Sequence, residues 1–148
     1  MCIRDSSSAE DLPFENDTFD VVSCLGSLEH FLNPEKALLE MKRVGTANCK
    51  LCIVVPNSKY IFYMLKNEYG TEQQEISETL RTLSEWKQLF TKAGFKIERI
   101  SQDNWIRTNT PITLNKGLAR FCKNVVKRAI WSVLPLRYTY QFVFVLET

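Results

Sequence analysis

The chain carries a single histidine, His30, in the run Leu28-Glu29-His30, shortly after the apolar segment Phe19-Asp20-Val21-Val22-Ser23-Cys24. An imidazole at that place could remove a proton from a hydroxyl or amine near neutral pH, as a general base does when a nucleophile attacks. Its plainer role is to order the turn or border a pocket, and that reading is preferred because proton abstraction depends on geometry. Glu29 reads as a structural hydrogen-bonding partner. Of five cysteines, Cys49 and Cys52 have the CxxC spacing that elsewhere serves zinc or redox chemistry. There is no second pair, and residues three apart on a strand point to opposite faces, so both are read as structural and no metal is expected.

The elements that must position His30 follow from the pattern around it. Phe19 to Cys24 is short, rich in β-branched residues and bounded by polar loop residues, which predicts a central parallel strand. Asn33-Pro34 supplies an N-cap and a proline at the first helical position, and Ala37, Leu38, Met41 and Val44 recur at helical spacing. Leu51 to Val55 is a second apolar run, after a turn at Val44 to Asn48, and it stops at Pro56-Asn57. Strand, helix and strand make a right-handed crossover, and ligands of such sheets lie outside the carboxyl ends of the strands. Those ends are Cys24 to His30 and Pro56 to Ser58.

Further on, Thr82 and Glu85 form a capping box, Leu83, Trp86, Leu89, Phe90 and Ala93 line one helical face, and Gly94 ends that helix before the alternating strand Phe95 to Ile100. The region of about 58–80, with the aromatic run Tyr60 to Leu65 and the polar run Gly70 to Glu75, reads either as a lid or substrate region or as a surface excursion with a small satellite core. An insert of about 107–137 holds seven Lys and Arg residues and no Asp or Glu. Within it Leu118, Phe121, Cys122, Val125, Val126, Ala129 and Ile130 keep helical spacing, with Lys116, Arg120, Lys123, Lys127 and Arg128 on other faces. Such a basic amphipathic helix could rest on an anionic membrane surface or hold a phosphate-bearing substrate. The preferred reading packs its apolar stripe on the domain and leaves its charges in solvent. A net charge of +2 is slight and no aromatic residues interleave the basic ones, so nucleic acid is not an expected partner.

Taken in order, Ala9-Glu10-Asp11-Leu12-Pro13-Phe14, Phe19-Asp20-Val21-Val22, Leu28-Glu29-His30, Val55-Pro56-Asn57, Thr82-Leu83-Ser84-Glu85-Trp86, Ala93-Gly94-Phe95 and Gln141 to Leu146 resemble a class I S-adenosylmethionine-dependent methyltransferase, type 11-like. The resemblance covers most of the chain. It implies an α/β fold, a partial doubly wound, Rossmann-like mixed sheet whose last strand, Gln141 to Leu146, is antiparallel. It also implies S-adenosyl-L-methionine as cofactor and methyl transfer to a small molecule or lipid, and the aromatic run Tyr60 to Leu65 with the basic helix points to a lipid- or sugar-linked acceptor. By the same resemblance, Ala9 and Glu10 lie beside the adenine with Leu12 packing nearby, while Cys24, Leu25 and Gly26 line the ribose and methionine side. Relatives often carry aspartate where Ser8 stands, and Pro-Gly-Gly within the Val44 to Asn48 stretch.

The family's first strand, its G-x-G-x-G turn and its acidic ribose ligand have no counterpart before Ala9. Residues 7–148 are therefore read as the C-terminal part of a single methyltransferase domain with its N-terminal strands missing, inactive alone, and with an open edge at Phe19 to Cys24. Met1 to Ser6 resembles the translation of a sequencing-library adapter and is read as a scar. The other function classes are a nicotinamide-dependent oxidoreductase, whose upstream turn would read G-x-G-x-x-G, and a non-catalytic Rossmann-like binding domain. An odd cysteine count favours a reducing, cytoplasmic setting, with a peripheral membrane contact through the basic helix as a further expectation. No apolar run approaches the roughly 20 residues that span a bilayer.

Overall fold

A computed structural model describes residues 7–61, 78–103 and 118–148, with the backbone alone at 118–120, 123 and 127. The expected scar, most of the expected lid region and the first part of the basic insert lie outside these residues. Strand β1 (Phe19–Leu25), helix α1 (Pro34–Val44) and strand β2 (Gly45–Pro56) form the expected crossover, with β1 and β2 parallel. Asn33 caps α1 by accepting a hydrogen bond from the Lys36 amide at 3.0 Å, and Pro34 opens the helix. Helix α2 (Leu83–Lys92) has the complete capping box: the Thr82 hydroxyl oxygen accepts from the Glu85 amide, and the Glu85 carboxylate accepts from the Thr82 amide at 2.6 Å. Strand β3 (Lys96–Gln102), helix α3 (Leu118–Val133) and strand β4 (Gln141–Glu147) follow, and two single-turn 3-10 helices lie at Leu28–His30 and Leu136–Tyr138. The sheet order is β1-β2-β4-β3, with β4 antiparallel to both its neighbours, so the mixed α/β sheet with an antiparallel last strand is present.

One face of the sheet is an apolar core. Leu51, Ile53 and Val55 of β2 and Phe142, Phe144 and Leu146 of β4 are buried under Ala37, Leu38 and Met41 of α1 and Trp86 and Phe90 of α2. Each such large side chain contributes about 1.5–3 kcal/mol by leaving water. The Phe90 and Phe144 rings meet edge to face at 4.8 Å, which fastens α2 to β4. β1 stands at the edge of the sheet, and its Val21 and Leu25 are 67% and 60% exposed.

Two expectations need correction. β2 begins at Gly45 rather than at Leu51: Gly45 pairs with Phe19, the register shifts, and pairing resumes at Val21 and Lys50. The expected turn at Val44 to Asn48 is thus mostly strand. A Cβ on Gly45 would lie 2.9 Å from the Cys49 sulfur, so a residue without one is needed for the chain to fold that closely. In α3, the apolar stripe is not packed on the domain. Cys122, Val125, Val126, Ala129, Ile130 and Val133 are exposed, while Phe121, Asn124 and Arg128 are half-buried and Trp131 is buried. One large aromatic side chain sets the inward face: Trp131 meets Tyr60 edge to face at 6.3 Å, and Tyr60 meets Tyr140 at 5.1 Å.

Candidate active site at the strand ends

The loop before β1 is held down by two charged residues of α1. Leu12 donates its amide to Glu40 Oε2 at 2.9 Å, and Arg43 donates to the carbonyls of Leu12 at 2.9 Å and Phe14 at 2.7 Å. Glu40 and Arg43 are 2.7 Å apart at i,i+3 spacing. The hydrogen bond from Arg43, with that from the Leu12 amide, pulls the Glu40 carboxyl down to about 2. Sequence reasoning passed over this clamp. Its signal was the Glu40/Arg43 spacing on the polar side of α1.

The candidate cofactor residues fall into two groups. Ala9 packs against the same apolar core as Cys24 and Leu28. Glu10 accepts a hydrogen bond from the Asn33 amide at 2.8 Å, so together with Leu12 it links the loop to α1. Cys24, Leu25 and Gly26 form the carboxyl end of β1. Gly26 adopts φ of 62°, which a side chain disfavours, and its amide donates to the Val54 carbonyl at 2.9 Å, fixing the turn to β2. Burial, and secondly the neighbouring Glu29 charge, push the Cys24 thiol up to about 11, so this sulfur is a neutral apolar wall rather than a nucleophile.

Beyond Gly26, Leu28 is fully buried and Glu29 is 5% exposed. Glu29 Oε2 is buried without a hydrogen-bond partner among the described residues, and burial raises its carboxyl above the usual range. Its Oε1 lies 4.0 Å from His30 Nε2, and Glu78 Oε1 lies 3.8 Å from the same nitrogen. Glu78 arrives on a strap that crosses both strand ends. The Thr79 amide donates to the Glu29 carbonyl at 2.9 Å, the Ser58 amide to the Arg81 carbonyl at 3.1 Å, and Asn57 bridges to Arg81. Arg81 in turn stacks over Trp86 at 4.9 Å. The imidazole thus sits between two carboxyl groups. The sequence pointed to Glu29 and His30 and missed Glu78, which nothing local to His30 reveals.

Asn57 fixes the end of β2. It is fully buried, its Nδ2 donates to the carbonyls of Arg137 at 2.9 Å and Thr139 at 2.7 Å, and its Oδ1 accepts from the Lys59 amide at 2.9 Å. Trp86 Nε1 donates to the Pro56 carbonyl at 3.0 Å, so α2 is also tied to this point. Among the described residues no three of His, Cys, Asp and Glu group as a metal would need.

Residues 5–53, which contain β1, its turn, α1 and most of β2, match the family described as Methyltransferase domain. The chain is 25% identical to the uncharacterized methyltransferase YcgJ of Bacillus subtilis (strain 168), across 75% of this chain and 48% of that protein. It therefore spans about half the length of the curated relative it matches. A SAM-dependent methyltransferase from Thermotoga maritima superposes with a TM-score of 0.64 at 15% identity, covering 95% of this chain and 61% of the other. The [4+2]-cyclase SpnF superposes with a TM-score of 0.61 at 13% identity, covering 97% and 54%. The resemblance read in the sequence is thus supported on two counts: residues 5–53 match a methyltransferase domain, and the fold is similar to that of solved SAM-dependent methyltransferases.

Proposed function

We propose that this chain is part of an S-adenosylmethionine-dependent methyltransferase that binds its cofactor at the ends of β1 and β2 and methylates a small-molecule or lipid- or sugar-linked acceptor. The observation that carries the reading is the Gly26 turn, a left-handed glycine pinned to Val54 at the carboxyl end of β1, inside the segment that matches the methyltransferase domain. The residues present suit such a cofactor. Gly26 has no side chain to obstruct an approaching ligand, Leu25 is exposed beside it, and Cys24 and Ala9 supply small apolar surfaces. The orphaned oxygen of Glu29 can accept a hydrogen bond from an ammonium or hydroxyl group.

When bound, S-adenosylmethionine supplies a methyl group on a positively charged sulfur. Charge falls during such a transfer, so the protein's task is to align the acceptor and exclude water. In this reading Cys24, Leu25 and Gly26 hold the ribose and methionine side, while Ala9, Glu10 and Leu12 border the adenine. In the proposed reaction His30 takes the acceptor's proton at Nε2, with the Glu29 and Glu78 carboxyl groups beside that nitrogen.

The fold alone does not settle the chemistry, since a cyclase shares it. Calorimetric titration of a full-length protein that contains this chain, with S-adenosylmethionine and, separately, with NADH, tests the proposal. Binding of the former only is expected. Binding of NADH alone would favour an oxidoreductase, and a folded protein indifferent to both would favour a non-catalytic domain.

A further inference from the structure

We propose that α3 is a membrane-surface helix whose exposed aliphatic side seats in the headgroup region of an anionic bilayer. The helix is fastened to the domain by the opposite side. Trp131 is 4% exposed against Tyr60, and Phe121, Asn124 and Arg128 are half-buried with it. What remains outward is a stripe of Cys122, Val125, Val126, Ala129, Ile130 and Val133, with Val126, Ile130 and Val133 exposed by 56%, 57% and 80%. A helix of a soluble domain turns its aliphatic side inward, and α3 does the reverse. Rolling it over would expose Trp131.

Charge identifies the occupant. From residue 104 to residue 146 the sequence holds seven basic and no acidic residues, whereas the remainder, with 12 basic and 17 acidic residues, has a net charge of −5. Within this stretch Lys116, Arg120, Lys123 and Lys127 recur at helical spacing in the sequence. An apolar protein groove would be served by the stripe alone. A stripe accompanied by one sign of charge and none of the other matches an interface of anionic headgroups over acyl chains. Tyr60 joins Trp131 to the segment just past β2, so a docked membrane would lie close to the strand ends. Delivery of a lipid-linked acceptor to that site rests on the methyl-transfer reading, whereas membrane binding does not.

The test is co-sedimentation of the full 148-residue chain with vesicles of equal parts phosphatidylglycerol and phosphatidylcholine, and with vesicles of phosphatidylcholine alone. The expected result is binding to the anionic vesicles, weak binding to the neutral ones, and release by about 0.5 M salt. Lys123→Ala with Lys127→Ala should lower partitioning about fivefold per lysine. Val126→Asp with Ile130→Asp should lower it at least about tenfold while leaving circular dichroism unchanged, because both positions are exposed. A folded chain that ignores anionic vesicles overturns the proposal, as does an aspartate variant that binds like the parent. Self-association abolished by the aspartate pair, without vesicle binding, would overturn it in favour of a second copy as the occupant. The salt and lysine measurements keep the proposal open to refutation if the aspartate variant misfolds.

Discussion

Replacing Asn57 by alanine isolates the joint that holds the end of β2. Three side-chain hydrogen bonds disappear: two donated to the Arg137 and Thr139 carbonyls and one accepted from the Lys59 amide. The site is fully buried, so water does not readily replace them. At about 1 kcal/mol net for each bond, the loss is about 3 kcal/mol. For a domain of this length 1 kcal/mol moves the thermal midpoint by roughly 2–4 °C, so Asn57→Ala should lower it by roughly 6–12 °C. Circular dichroism melting reads this directly, and urea unfolding should show a lower midpoint at unchanged slope. Asn57→Asp should be worse at neutral pH, because a carboxylate would face two carbonyl oxygens with nothing to donate. Acidification protonates that carboxyl, restores one donor and should bring the variant closer to Asn57→Ala. An alanine variant within about 1 °C of the parent, or an aspartate variant as stable as the parent at neutral pH, would refute the assignment of Asn57 as this joint.

Burial raises the Glu29 carboxyl in the folded chain, so the native state holds a proton that the unfolded state has released; stability from this group is full below the ordinary range near 4.5 and declines as pH rises through the raised value. Glu29→Gln should flatten that decline in melts taken as a function of pH, and an unchanged slope would count against the buried carboxyl. Glu40 behaves oppositely: with its carboxyl at about 2, its contribution is present above 4.5 and is lost as pH falls from there towards 2. Glu40→Gln should remove this acid-side loss and loosen the Leu12 to Phe14 loop, which amide hydrogen exchange at Leu12 would report. His30→Gln, made in a full-length protein that contains this chain, should lower methyl-transfer turnover about 10²- to 10⁴-fold at neutral pH with cofactor affinity unchanged, and a change within about twofold would leave His30 a structural residue.

Much of this arrangement is legible in short-range pattern. Asn33-Pro34, the Thr82/Glu85 capping box and the spacing of Ala37, Leu38, Met41 and Val44 each act within one or two helical turns, so the sequence shows them directly. The antiparallel last strand was available only through resemblance, since Gln141 to Leu146 alternates like any half-buried strand and nothing in it names a partner. The site was half legible. Leu28, Glu29 and His30 are contiguous, but Glu78 reaches His30 through a strap that only the tertiary fold lays across the strand ends. The reversed face of α3 was hidden for a different reason. Helical spacing identifies an apolar stripe but not what it packs against, and Trp131 meeting Tyr60 outweighs a row of smaller aliphatic residues.

A cofactor site at the β1 strand end would show itself when an isotopically labelled full-length protein that contains this chain is titrated with S-adenosylhomocysteine, the demethylated cofactor, and backbone amide resonances are followed. Shifts are expected to concentrate at Ala9, Leu25 and Gly26, with Glu29 and His30 following. A folded protein with no shifts at saturating ligand, or with shifts confined to α3 or the far edge of the sheet, would contradict a cofactor site at this strand end.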